Sequence, residues 1–174
     1  MQSPAQFSRT GTFRPDGPVR PAPSLQAFLE LAFRPLYIAG ALWALVAIGL
    51  WIYAPQVIGG DLQGIAWHAH EMLWGFIATI AVAFLMTAGA NWTGINPMRG
   101  SVLAVACVLW LVARIGFLVG SGNVFRIAMT AEFLFFLLGA VAMMRAVYRA
   151  RNARNYAVPW LLVGLAAADA LYLS

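Results

Sequence analysis

The 174-residue chain has two histidines, and they stand together in Trp67-His68-Ala69-His70-Glu71-Met72. A neutral imidazole nitrogen is the commonest protein ligand for metal ions and for haem iron, so this hexapeptide is the first place to look for chemistry. On a regular helix, residues two apart point about 200° away from each other. The pair therefore cannot chelate one ion from such a helix: either the first turn is irregular or the two rings serve different partners. With a regular helix from His68, one stripe reads His68, Met72, Gly75, Thr79 and Met86. It is small, polar or soft, and is expected to face a helix bundle. The other reads His70, Ile77, Ala81, Phe84 and Ala88 and is expected to pack or to meet lipid. On this reading His68 matters more than His70 for holding a cofactor. The bland alternative makes both rings interfacial, satisfied by water and headgroups.

Four further ionisable residues interrupt apolar runs: Arg114, Arg126, Glu132 and Asp169. Arg114 and Glu132 lie about 8 Å and about 12 Å from the ends of two helices at a rise of 1.5 Å per residue. Those helices are joined by the tight Gly120-Ser121-Gly122-Asn123 turn, so the two residues are expected at similar depth, where they can pair. His68, His70, Glu71 and Arg126 fall at the same edge, and Asp169 about 16 Å into the last block. A charge at the centre of a bilayer costs at least about 2.5–3.5 kcal/mol and normally faces a partner or a site. Two uses remain open, an Arg–Glu clamp with the other charges snorkelling to water, or a cofactor site. The single Cys107 rules out an internal disulfide or a cysteine-cluster metal site and reads as a small packing residue. The chain carries no glycine-rich phosphate loop, Ser-His-Asp set or His-Glu-x-x-His pattern.

The elements that must position these residues are apolar. Hydrophobic residues make up 62% of the chain and charged ones 10%, too few to cover a soluble surface. The expected architecture is all-α, a polytopic transmembrane helix bundle of about five spans over 36–54, 68–90, 101–119, 124–144 and 156–173. Each is near the ~20 residues that cross a ~30 Å hydrocarbon core, and none alternates with the period of a barrel strand. Residues 1–33 hold Pro4, Pro15, Pro18, Pro21 and Pro23 among polar residues and are expected to be a disordered tail, with a short interfacial helix over 24–33. Gly116 and Gly120 form a small-xxx-small pair that favours close helix packing. Eleven arginines and no lysine give a net charge of +5. In a membrane protein that is an orientation signal, and nucleic acid is not an expected partner.

Three stretches together resemble the NnrS family: Phe33-Arg34-Pro35, Trp67-His68-Ala69-His70-Glu71-Met72-Leu73-Trp74-Gly75-Phe76 and Asn91-Trp92-Thr93-Gly94. The resemblance implies a bacterial inner (cytoplasmic) membrane protein connected with nitric oxide metabolism or nitrosative-stress tolerance, and implies haem and copper as cofactors. It makes His68 and His70 the expected metal ligands. Glu71 or Glu132 would accept a ring N–H, and Arg114 or Arg126 would pair with haem propionates. The expected partners are membrane lipid, nitric oxide, and further C-terminal helices or other subunits, since family members are longer than this chain. A transporter or scaffold with an ionisable pathway from the midplane to the outer face is the competing expectation.

Arginine-bearing and arginine-free connections alternate along the chain: Arg9, Arg14, Arg20 and Arg34, then none, then Arg99, then none, then Arg145, Arg149, Arg151 and Arg154. By the positive-inside rule the N-terminus is cytoplasmic. A topology reporter fused after Arg151 is expected to read cytoplasmic and one fused at Gly60 external; the same side for both would break the five-span scheme.

Overall fold

The computed structural model describes residues 24–174; of the tail expected to be disordered over 1–33, residues 1–23 lie outside the described residues. These are helical without a strand. Ser24 caps a four-residue helix, α1 (Leu25–Phe28), by accepting from the Ala27 N–H. Next come α2 (Phe33–Tyr53), α3 (Gly64–His70), a π-helical segment (Glu71–Ala78), α4 (Thr79–Thr93), α5 (Gly100–Val119), α6 (Asn123–Arg149) and α7 (Val158–Tyr172). α3, the π segment and α4 are one continuous 30-residue helix.

Four helices are long and apolar enough to cross a membrane: α2, the composite Gly64–Thr93 helix, α5 and α6. The fifth apolar block, expected over 156–173, forms α7 over Val158–Tyr172. Its start is set back by Ala153–Asn155, a 3-10 turn, and by Pro159 in the first turn, a place where a missing N–H costs nothing.

α6 is the hub. It packs along α5, α7 and α4, while α2 lies against α4 and the π segment. Half of the apolar window of α6 is buried but only 17% of that of α2, so α2 shows lipid most of its surface. Gly116 of α5 explains the close α5–α6 contact: a Cβ there would stand 2.6 Å from Ala128 Cβ on α6.

The loops tie the two ends of the bundle. At the histidine end, the Gly59 and Asp61 N–H groups donate to Leu118 O and Gly120 O, and the Gly122 N–H donates to Asp61 Oδ2 at 2.7 Å. At the other end, Gly100 N–H donates to Leu29 O, Asn96 Nδ2 to Glu30 O and Asn152 Nδ2 to Trp92 O. That second end carries Arg34, Arg99, Arg145, Arg149, Arg151 and Arg154, so the alternation read along the chain is a real polarity of the bundle. Two apolar clusters fill the interior, one around Leu36, Met86, Leu103 and Met143, the other around Ala47, Trp67, Phe117 and Ala128.

Replacing Gly116 by leucine must wedge α5 from α6. It is expected to cost about 1–3 kcal/mol, the usual range for overpacking a tight core. Unfolding in mixed micelles checks this; an unchanged midpoint would mean that the contact is not tight.

Candidate metal and charge centre

The centre is assembled where the composite helix changes register. In a π-helix the bond runs i to i+5, and such segments are rare and tend to sit at functional sites. The wider turn weakens the backbone ladder, and side chains repair it. Thr79 Oγ1 donates to Trp74 O at 3.0 Å, and Trp110 Nε1 of α5 donates to Thr79 Oγ1 at 2.8 Å and lies 3.3 Å from Gly75 O.

The π register decides which histidine enters the bundle. Each π residue rotates less than an α residue, so across the segment the helix phase lags by roughly a third of a turn. The stripes drawn for a regular helix therefore break. His70 is fully buried, whereas Ile77 and Phe84, its expected companions, are each 55% exposed. Gly75, Thr79 and Met86 do face inward, but His68 at their head does not join the polar centre. Its ring stacks on Trp51 at 4.1 Å, and its Nδ1 is buried without a hydrogen-bond partner. The expectation that His68 leads and His70 packs is reversed for this polar centre.

Around His70 stand three carboxylates and one guanidinium, all buried. His70 Nδ1 lies 3.1 Å from Glu71 Oε1, and Nε2 lies 3.1 Å from both Glu132 Oε2 and Asp169 Oδ1. Arg114 Nη1 donates to Glu71 Oε2 at 2.6 Å, and Nη2 donates to Glu132 Oε1. Trp43 Nε1 of α2 also donates to Glu71 Oε2. Arg114 sits against the rings of Trp110 and Phe117, 5.9 and 5.5 Å from their centroids. The His70 ring packs on Trp74 and Phe117. Gly75 makes the convergence possible. A Cβ there would collide with Arg114 Nη1 and stand 2.8 Å from Glu71 Oε2 and 3.0 Å from Trp43 Nε1.

Two features of this geometry leave room for a bound cation. First, a single N–H on Nε2 serves one oxygen; Asp169 Oδ1 is placed to take it, and Glu132 Oε2 is left buried with no donor. Second, three carboxylates face one guanidinium and one imidazole, so negative charge is in excess whether or not the ring carries a second proton. A cation held by His70, Glu132 and Asp169 would answer both. Those three residues form a group whose ligand atoms all lie within 4.8 Å of one another.

The sequence-derived candidates thus divide. His70, Glu71, Arg114 and Glu132 meet; His68 lies beside Trp51; and Arg126 is exposed, lining a groove with Leu109, Ile127 and Leu134. Asp169 and Trp43 complete the centre and were not among the site candidates. The signal for Asp169 was a lone carboxylate in an apolar block; an indole among six others carried none.

The NnrS protein family model matches residues 27–174. The chain belongs to the NnrS family. No curated protein and no solved structure matches it. The stretch that most resembles the family, Trp67 to Phe76, is the one that supplies His70, Glu71, Trp74 and Gly75 to the centre. Asn91-Trp92-Thr93-Gly94 ends α4, with Gly94 left-handed at φ 70° and Trp92 O receiving the Asn152 amide. Phe33-Arg34-Pro35 opens α2, with Arg34 donating back to Ala27 O.

A simple Arg114–Glu132 clamp would predict that removing both partners restores stability. Because Arg114 is shared with Glu71, the structure predicts otherwise. Glu132→Gln and Arg114→Leu are each expected to cost about 3–5 kcal/mol, the range for breaking a buried pair. The double variant is expected to stay destabilised, since Glu71 loses its cation. Full recovery of the melting midpoint in the double variant would reduce the centre to a two-residue clamp.

Proposed function

We propose that this NnrS-family chain is the metal-holding part of a membrane protein of the bacterial inner membrane that acts in nitric oxide metabolism or nitrosative-stress tolerance. His70 Nε2, Glu132 Oε2 and Asp169 Oδ1 are the proposed ligands. The observation that carries the reading is Nε2 at 3.1 Å from both carboxylate oxygens, one of which has no other donor. Ligand atoms about 2.1 Å from one tetrahedral ion stand about 3.4 Å apart, a few tenths of an ångström from that spacing. Glu71 on Nδ1 does what carboxylates do for metal-bound histidines: it fixes the tautomer and the ring plane and raises ligand basicity. Arg114 holds Glu71 and Glu132 in place from the opposite side.

The donor set discriminates among the cofactors that the family implies. One imidazole and two carboxylates suit a divalent first-row ion, Cu²⁺ among them. The three proposed ligands include no thiolate or thioether of the kind that favours Cu⁺. Haem does not fit at His70: both ring nitrogens face carboxylates and the ring is packed between Trp74 and Phe117. The best-formed grooves of the described residues, 220–640 Å³, are not lined by either histidine. His68, with its unpartnered Nδ1, is the histidine left for a haem whose other walls come from outside these helices. A bound ion would supply an electrophilic position for a small ligand, and nitric oxide, being small and weakly polar, has access through lipid.

The unpartnered Glu132 Oε2 also favours a second reading, in which the carboxylate carries a proton and the centre is one station of a transporter's ion pathway.

Elemental analysis of the purified full-length protein separates the two. One tightly held transition-metal ion is expected in the wild type. It should be lost in His70→Ala and Asp169→Asn and retained in His68→Ala. Metal-free wild type that still shows proton-coupled flux in vesicles would select the second reading. A Soret band lost in His68→Ala but kept in His70→Ala would assign haem to His68.

A further inference from the structure

A groove of about 270 Å³ opens at the basic end of the bundle, between the α4–α5 loop and the last turns of α6. Its walls are of two kinds. Val102, Leu138 and Val141 form an apolar side that runs toward the middle of the bundle, and Asn96, Arg145 and Arg149 form the polar rim. Arg145 and Arg149 are four apart and so share one face of α6. Both are exposed, and neither meets a carboxylate in the ion pairs of the described residues. Glu30, the acidic residue at this end among the described residues, is 3.8 Å from Arg99.

The depth of this rim follows from helix length. The 27 residues of α6 extend ~40 Å, about 10 Å more than the hydrocarbon core. At the histidine end α6 is held level with α5 by the short Gly120–Gly122 turn. The surplus therefore projects at the basic end, which puts Arg145 and Arg149 in the headgroup layer while Leu138 and Val141 stay among acyl chains.

We propose that this groove is a binding site for an anionic glycerophospholipid. The two guanidiniums take the phosphate oxygens, the one Asn96 N–H not given to Glu30 O is left for a glycerol oxygen, and the first acyl methylenes lie along Val141, Leu138 and Val102. Charge selects the ligand. Guanidinium forks pair with phosphate oxygens, and basic pockets between helices at a membrane face hold anionic headgroups. A zwitterionic lipid brings an ammonium that the two arginines repel. The site is remote from the His70 centre and does not depend on its metal.

The test is native mass spectrometry of the full-length protein in detergent, titrated with phosphatidylglycerol or phosphatidylcholine of matched chains. Phosphatidylglycerol is expected to bind preferentially. The R145A/R149A variant should lose about thirtyfold in affinity, at roughly fivefold per arginine near an anionic surface. R145K/R149K should retain most of it. Arg126→Ala, at the opposite end of the bundle, should bind as the wild type does. Equal binding of the two lipids, or an R145A/R149A variant that binds like the wild type, overturns the proposal. So does displacement by soluble glycerol phosphate at the lipid's own concentration, because it would make the acyl wall irrelevant.

Discussion

The buried guanidinium of Arg114 is the constraint around which the bundle is arranged. A cation removed from water inside a membrane bundle is tolerated only where oppositely charged, hydrogen-bonded partners replace its hydration. Arg114 finds Glu71 on the π segment and Glu132 on α6; the second oxygen of Glu71 meets His70 Nδ1, and that of Glu132 stands 3.1 Å from Nε2. Asp169 brings α7 into the same network through His70 Nε2, and Trp43 brings α2 through Glu71. Every long helix therefore contributes a polar group to one point. Apolar packing alone does not set helix register well in lipid, because lipid tails are as apolar as leucine; a shared charge centre sets it for all five at once.

The π segment is what allows that point to exist. A regular α-helix through Glu71 to Ala78 would turn His70 toward Ile77 and Phe84, which the structure leaves exposed. Widening the helix loosens its backbone bonds, and Thr79 with Trp110 compensates the freed carbonyls. Gly75 then clears the space that Arg114, Glu71 and Trp43 occupy. Helix register and charge are one device: without the π register His70 leaves the centre, and without Gly75 the guanidinium cannot enter it.

The molecule is also polarised end to end. Two apolar clusters flank the charge centre, and His70 touches both through Trp74 and Phe117. The arginines gather at the far end, where α6 outruns the hydrocarbon. The chemistry proposed for His70 and the lipid site proposed for Arg145 and Arg149 are thus kept apart by about 20 Å of α6, the rise from Glu132 to Arg145.

Much of this was determined by the sequence alone. Composition and block length dictate membrane helices, because nothing else satisfies the backbone in lipid. Arginine spacing dictates the two unlike ends, and the tight Gly120–Gly122 turn dictates that Arg114 and Glu132 share a depth. The stretch from Trp67 to Phe76, with its companions around Arg34 and Trp92, identified the family. What tertiary structure alone decided was rotation and reach. Periodicity assumes 3.6 residues per turn, so a π segment inverts the reading of His68 and His70 while leaving the hydropathy pattern unchanged. Asp169 lies 99 positions from His70, and only the packing of α7 on α6 closes that distance. α7 begins at Val158 because Pro159 and the preceding turn set its start, a boundary that apolarity does not mark. Sequence therefore marked Glu71, Arg114 and Glu132 as charges in need of partners; the angle at which one helix is wound decided which histidine they surround.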